Sequence, residues 1–412
     1  MAMKRVLPYY VGICAASLFS GIRYEVGPIV LRPFDALIVI GAILTVAAVS
    51  KRGYIQKIQD GGLLCLLVSL FLYRTINGLI LSSQSVAIKE GIQFLEFLIF
   101  IFILLEAVKG EKSARALIKT FYVVIGLICI GTAIYHIRSG QYSGYKYLLG
   151  GAQKYAFGLF ALFSFVYWTY NKAIPRDLVI VIVSVTLLIM SGERKGWLSF
   201  ATASIAVYLW GNSAYITGKL KRLVEPRLLV LYVVIFASIF VASRYEYSKA
   251  QINSLFNTYK LAKNSNLKYA YNRTQDVGRY NGLVFVFKKI QEKPLFGLGT
   301  GSIKEYKTQV SADINPGHGS FQSYMVENGL FGLIMYTMVW ILCIKKSWNI
   351  FPSYKRNNIL RYLLIGFVVY SATINLFLAG GAINTLLLTM SVGLLLSFER
   401  LKIKSLRSNG YR

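Results

Sequence analysis

Long apolar runs separated by short basic clusters set the pattern of this chain. Apolar character fills about 7–22, 28–49, 61–80, 91–108, 120–136, 154–171, 177–191, 196–212, 227–243, 318–344, 360–378 and 381–398. Most of these runs approach the ~20 residues that a helix needs to cross a bilayer. None shows the strict alternation of membrane strands, so the backbone groups must be satisfied within helices. The pattern predicts an all-α, polytopic integral membrane protein with about 12 transmembrane helices.

Basic clusters fall at Lys4-Arg5, Lys51-Arg52-Lys57, Lys109 to Lys119, Lys172-Arg176, Lys219 to Arg227, Lys345 to Arg361 and Arg400 to Arg412. They occupy every second connection and both termini. The positive-inside rule therefore puts both ends in the cytoplasm. The first run has signal-peptide features, a basic Met1 to Arg5 and small residues at Ala15-Ala16-Ser17, but this topology requires it as an uncleaved helix. Three regions follow: helices one to nine over 1–243, an outer loop over 244–317, and helices ten to twelve with a cytoplasmic tail over 318–412.

The outer loop carries twelve Lys and Arg against five Asp and Glu, a net of +7. A loop of this length escapes the positive-inside constraint, so its charge calls for another cause, such as an anionic substrate. Within it Ile252, Leu255, Phe256 and Tyr259 fall at helical spacing, and Leu283, Val286, Phe287 and Ile290 repeat it. Both stripes predict amphipathic helices lying on the outer face of the membrane lipids or over the spans.

Composition agrees: 55% hydrophobic residues and a mean hydropathy of +0.53. The net charge of +29 would suit nucleic acid, but the Lys and Arg lie between apolar runs and no basic domain stands apart, so no nucleic-acid partner is expected. Cys14, Cys65, Cys129 and Cys343 sit in apolar runs without metal spacing. The absence of an acidic metal pair, a phosphate loop or a cysteine-histidine cluster implies no cofactor and no metal.

His318 follows Asn315-Pro316-Gly317 and opens the tenth run, where a helix N-terminus favours the neutral ring and lets it accept a proton. An interfacial histidine bonded to backbone would carry the same pattern, which is the reading given to His136 at the end of span five. Arg194, in the tight turn Ser191 to Gly196, must face headgroups or a polar cavity, and arginine holds a diphosphate without a metal. A snorkelling role beside Glu193 is the alternative. Arg279 begins the second loop helix and could complete an anion clamp, although lone loop arginines are usually solvated. Arg74 and Glu96 lie at matching depth in spans three and four, so they are expected to pair or to line one cavity.

From Arg279 to Gly332 the chain resembles the O-antigen ligase/polymerase superfamily. The resemblance rests on the arginine that opens a short helix, on Glu292-Lys293-Pro294-Leu295-Phe296-Gly297-Leu298-Gly299-Thr300-Gly301, and on His318-Gly319-Ser320-Phe321 with Glu327-Asn328-Gly329-Leu330-Phe331-Gly332. Arg32-Pro33-Phe34-Asp35 at the start of span two and the turn at Arg194 agree with it. Gly319, where relatives often carry Asn or Ser, and Glu193 depart from the pattern.

The resemblance implies a metal-independent glycosyltransferase that moves a glycan from undecaprenyl diphosphate to an acceptor hydroxyl on the periplasmic face. In that reading Arg194 and Arg279 hold the diphosphate, His318 activates or orients the acceptor, and Glu327 belongs to the substrate-binding motif. The partners would be a lipid-linked glycan donor and either lipid A-core, for a ligase, or a growing glycan, for a polymerase. A flippase or transporter of lipid-linked sugars also fits twelve spans. Its polar sites belong at mid-membrane, however, not at the outer face.

Overall fold

The computed structural model describes residues 2–20, 22, 24–26, 29–50, 61–82, 84–138, 153–170, 175–191, 194–211, 288–303, 320–350, 359–377 and 382–408. Within these it is mostly helical, with one short hairpin and a turn-rich segment at 293–301. The helices are α1 (Ala2–Ser17), α2 (Pro33–Ser50), α3 (Gly61–Leu81), α4 (Gln84–Ala107), α5 (Glu111–Arg138), α6 (Gln153–Tyr170), α7 (Pro175–Met190), α8 (Arg194–Gly211), α9 (Ser320–Asn349), α10 (Ile359–Phe377) and α11 (Ala382–Ser408). Among the described residues four stretches are long and apolar enough to cross a membrane: Pro33–Ser50, Gly61–Leu81, Glu111–Tyr135 and Ser323–Asn349. Eleven of the twelve expected spans coincide with a helix. The span expected at 227–243 and the loop stripe at 252–259 lie outside the described residues, and of the second stripe only Ile290 is described, in helical backbone and packed against Leu298, Ile303 and Val326.

Two expectations change. The all-helical reading gives way locally to an antiparallel hairpin of Tyr24–Val26 and Ile29–Leu31, in the register Tyr24↔Leu31 and Val26↔Ile29. Hydropathy alone could not separate the apolar Ile29-Val30-Leu31 from the helix that follows. The helix begins instead at Pro33, whose fixed φ suits the first helical position. The Arg32 amide donates to Asp35 Oδ2 (2.8 Å) and the Asp35 amide to the Arg32 carbonyl (3.0 Å), which caps the turn. Further along, α4 begins at Gln84, about seven residues before the apolar run that predicted it.

α1 packs on α5, α8 on α10, α6 on α7 and α4 on α11, while α9 lies against both α3 and α10. The polar contacts fix the direction of the helices. At one end Lys346 of α9 pairs with Glu399 of α11 (3.2 Å), and Arg400 donates to the Leu105 and Val108 carbonyls at the end of α4 (2.6 Å each). The opposite end therefore holds the Leu81–Gln84 turn between α3 and α4 and the start of α9.

α8 runs antiparallel to α10. Tyr170 of α6 reaches the Val207 carbonyl of α8 and stacks on Tyr362 of α10, while Thr202 of α8 meets Thr373 of α10. Tyr336 of α9 bonds Asn375 near the end of α10. If α9 and α10 were parallel, the short connection from Asn349 to Ile359 would have to span about 43 Å, beyond the reach of ten extended residues. α10 therefore ends where α9 begins, and so the N-terminus of α8 lies at that end too.

The core between α5, α6 and α10 is aromatic and tight. Tyr370 donates to the Tyr155 carbonyl (2.8 Å) and lies over Gly158, where an added Cβ would stand 2.3 Å from the Tyr370 hydroxyl oxygen. We predict that Gly158→Ala lowers stability by about 1–3 kcal/mol, because overpacking displaces Tyr370 from its carbonyl. Thermal unfolding in detergent, with Tyr370→Phe as reference, measures this.

Candidate functional site

The segment 293–303 is locked to a break in α9. Gly329, at φ 62° and ψ −166°, interrupts the helix. In an unbroken helix the amides of Leu330 and Phe331 would donate to the carbonyls of Val326 and Glu327. Those four groups bond the loop instead. The Leu298 and Gly299 amides donate to the Val326 and Glu327 carbonyls (2.8 and 2.9 Å), and the Leu330 and Phe331 amides donate to the Pro294 and Leu295 carbonyls (2.9 and 3.2 Å). The break thus leaves none of these groups unsatisfied, which an apolar surrounding demands.

Glycine makes the approach possible at two positions. A Cβ on Gly297 (φ +72°) would lie 2.6 Å from the Val326 carbonyl oxygen, and one on Gly329 would lie 2.3 Å from the Leu295 carbonyl oxygen. Both φ values fall where side chains are disfavoured.

α3 reads the joint through one face. Asn77 donates from Nδ2 to the Phe296 carbonyl (2.8 Å) and to the Glu327 carbonyl (3.1 Å), and Tyr73 donates to the Asn328 carbonyl (2.8 Å). Thr300 donates to Asn328 Oδ1 (2.8 Å), and Ser82 donates to the Thr300 carbonyl (2.6 Å). Gly78 admits this closeness, since a Cβ there would meet Ala87 at 2.9 Å and the Thr300 oxygen at 3.1 Å.

One turn deeper along α3, the buried Arg74 sits among charged and aromatic groups. It donates from Nη1 to the Tyr324 hydroxyl (2.9 Å) and from Nη2 to Glu90 Oε2 (3.0 Å), with Glu327 Oε2 at 3.8 Å. Its guanidinium lies 4.9 Å from the Phe94 ring centre and 4.6 Å from that of Tyr324. Phe94 stacks on Phe71 (4.3 Å) and Tyr324 on Tyr336 (4.0 Å). A charge held by two carboxylates and two ring faces is compensated where water is scarce.

This corrects the expected partner of Arg74, which is Glu90 with Glu327 and not Glu96. Because α4 starts at Gln84, Glu90 occupies the depth that the sequence gave to Glu96, and Glu96 lies about 9 Å further along the axis. Glu96 has its electrostatic neighbours in Asp35 of α2 and Arg32 just before that helix instead.

Of the other expected site residues, Glu327 belongs to the cluster just described. Arg194 is the first residue of α8, at the end of the bundle where α9 begins, and its side chain is outside the described residues, as is that of His136 in the last turn of α5. His318 and Arg279 lie outside the described residues altogether. Among the described residues no group of three or more His, Cys, Asp or Glu could hold a metal ion.

Sequence reasoning missed Glu90, Tyr324, Tyr73 and Asn77. Asn77 carried a usable signal: it lies three residues from Arg74, on the same helical face of an otherwise apolar segment.

The family model described as O-antigen ligase matches residues 179–337. It covers α7 from Val179 onward, α8, the 293–303 segment and α9 as far as Thr337, so the break at Gly329 lies within it. The match supports the resemblance to the O-antigen ligase superfamily and an O-antigen ligase/polymerase type of function, in a protein whose apolar helices suit a membrane. No curated protein matches the chain.

Gly297→Ala and Gly329→Ala are each predicted to destabilise by more than about 1–3 kcal/mol, since strain at positive φ adds to a clash against backbone. Asn77→Leu removes a donor from the Phe296 and Glu327 carbonyls, a loss of about 0.5–1.5 kcal/mol for each bond. Midpoints of thermal unfolding for the three variants check this, and a wild-type midpoint for Gly329→Ala would contradict the joint.

Proposed function

We propose that this protein is a metal-independent membrane glycosyltransferase of the O-antigen ligase type, moving a glycan from undecaprenyl diphosphate to an acceptor hydroxyl on lipid A-core. The family match over 179–337 is the observation that carries the reading. The backbone of Arg194 at the end of the bundle where α9 begins supports it, because the motif histidine His318 immediately precedes that helix.

In this reading the acceptor oxygen attacks the anomeric carbon, the bond from that carbon to the diphosphate oxygen breaks, and His318 takes the hydroxyl proton. Negative charge gathers on the departing diphosphate, where Arg194 and Arg279 stabilise it by paired hydrogen bonds. A positioned base contributes about 10²–10⁴-fold. Glu327 contacts the substrate beside them. Twelve spans, cytoplasmic termini and an outer 244–317 loop put this chemistry on the periplasmic face of the inner membrane, where the loop's positive charge draws the anionic donor.

His318→Ala, Arg279→Ala and Arg194→Ala are expected to lower transfer from purified lipid-linked glycan at least ~10²-fold while the protein still inserts in the membrane. Full activity of the His318 or Arg279 variant would refute that residue's role. In a deletion strain, long polymer left on the carrier identifies the ligase. Single repeats attached to core would identify a polymerase using the same chemistry.

A further inference from the structure

We propose that Arg74 is a positioning residue for the transfer reaction: it fixes the carboxylate of Glu327, and so the first turns of α9, against the 293–303 loop. The inference rests on the transferase reading above and shares Glu327 with it, but Arg74, Glu90 and Tyr324 have no part in the chemistry given there.

Residue 327 is held at two points from one helix. Its carbonyl accepts from Asn77 Nδ2 (3.1 Å) and from the Gly299 amide (2.9 Å), while its carboxylate faces the Arg74 guanidinium at 3.8 Å. Arg74 and Asn77 are three residues apart on α3, so a single helical face sets both the backbone and the side chain of Glu327.

The guanidinium is itself immobilised. Glu90 and the Tyr324 hydroxyl take two of its nitrogens at 3.0 and 2.9 Å, and the Phe94 and Tyr324 rings lie within 5 Å of its carbon. A pair with Glu90 alone would suffice to compensate the charge and to tie α3 to α4. A second carboxylate, supplied by α9 two residues before its break, makes the arginine a link between the outer end of α3–α4 and the segment that follows His318. Tyr324 strengthens that link, since it belongs to α9 and bonds the same guanidinium.

Arginine's fixed fork can serve Glu90 and Tyr324 at once while facing Glu327. Lysine retains the charge, but as a point charge on a flexible stem it lacks the rigid planar fork that holds Glu90 and Tyr324 on separate nitrogens, so it fixes the three partners less firmly. The defect should therefore appear in the chemical step and not in substrate capture, because a displacement near 1 Å at reacting groups costs up to about 10²-fold.

The test uses the full-length protein in nanodiscs with a purified lipid-linked glycan and its acceptor. Wild type, Arg74→Lys, Arg74→Gln and Tyr324→Phe are compared by kcat, by KM for donor and acceptor, and by unfolding temperature. Arg74→Lys is expected to lose about tenfold in kcat, and Arg74→Gln about 10²-fold, with both KM values within about twofold. Tyr324→Phe is expected to show a smaller loss of the same kind. If Arg74→Gln does not fold, the Lys and Phe variants decide the matter.

Wild-type kcat in Arg74→Lys and Tyr324→Phe, a rise in KM alone, or activity lost only in proportion to folded protein would each overturn the positioning role. No transfer by the wild type would instead remove the functional reading itself. Wild-type transfer with unaffected variants removes only this inference.

Discussion

The exchange of hydrogen bonds at Gly329 is the constraint on which the arrangement of the site depends. A helix broken in an apolar surrounding exposes two amides and two carbonyls, and each such group is costly without a partner. Here the 293–303 segment supplies the complementary four, so loop and helix become one unit. The identity of the loop follows from this. Pro294 and Leu295 give carbonyls, Leu298 and Gly299 give amides, and Gly297 turns the backbone between them at a point where a side chain would strike the partner.

α3 then sets where that unit sits. The half of α3 that ends at Leu81 divides into two faces: Leu72, Ile76, Leu79 and Ile80 are exposed and suit lipid, whereas Arg74, Asn77 and Gly78 are buried against the loop, α4 and α9. Such a division follows from helical periodicity in a bilayer, where polar side chains turn inward because lipid offers no hydrogen-bond partner. Asn77 satisfies backbone that the break leaves with spare acceptor capacity, and Arg74 satisfies charge, so the two polar residues of that face do different work. At the far end of the bundle Lys346, Glu399 and Arg400 tie α9, α11 and α4 together. The helices that frame the site are thus fixed at both ends, with the loop joint between α3 and α9 as the upper fixture.

Much of the helix inventory was legible in the sequence because apolar run length reports a bilayer-crossing helix directly. α3, α6, α7, α8 and α10 begin and end within about two residues of their runs, since Gly, Pro or charged residues bound them sharply. The start of α4 escapes the hydropathy pattern because its first two turns, Gln84 to Glu90, mix Gln84, Ser85, Lys89 and Glu90 with three apolar residues, and hydropathy cannot tell such helix turns from a connection. The hairpin at Tyr24–Leu31 was missed for the converse reason: its apolar residues read as helix until Pro33 is recognised as a first helical position.

The same distinction holds for the site. The motif Glu327 to Gly332 and the glycines at 297 and 299 were legible in the sequence through the family resemblance, whereas the close backbone approach that glycine permits there came from the structure. The presence of buried charge in spans three and four was equally plain, since Arg74 could not remain unpartnered in apolar surroundings. Only the tertiary structure decided that its partners are Glu90 and Glu327, that Asn77 bridges loop and helix, and that Val326 and Glu327 surrender their helical bonds to a segment some thirty residues earlier. Periodicity and hydropathy report what each helix must bury or expose. Which group across the bundle meets that demand depends on where helices begin, how they are staggered and where one of them breaks.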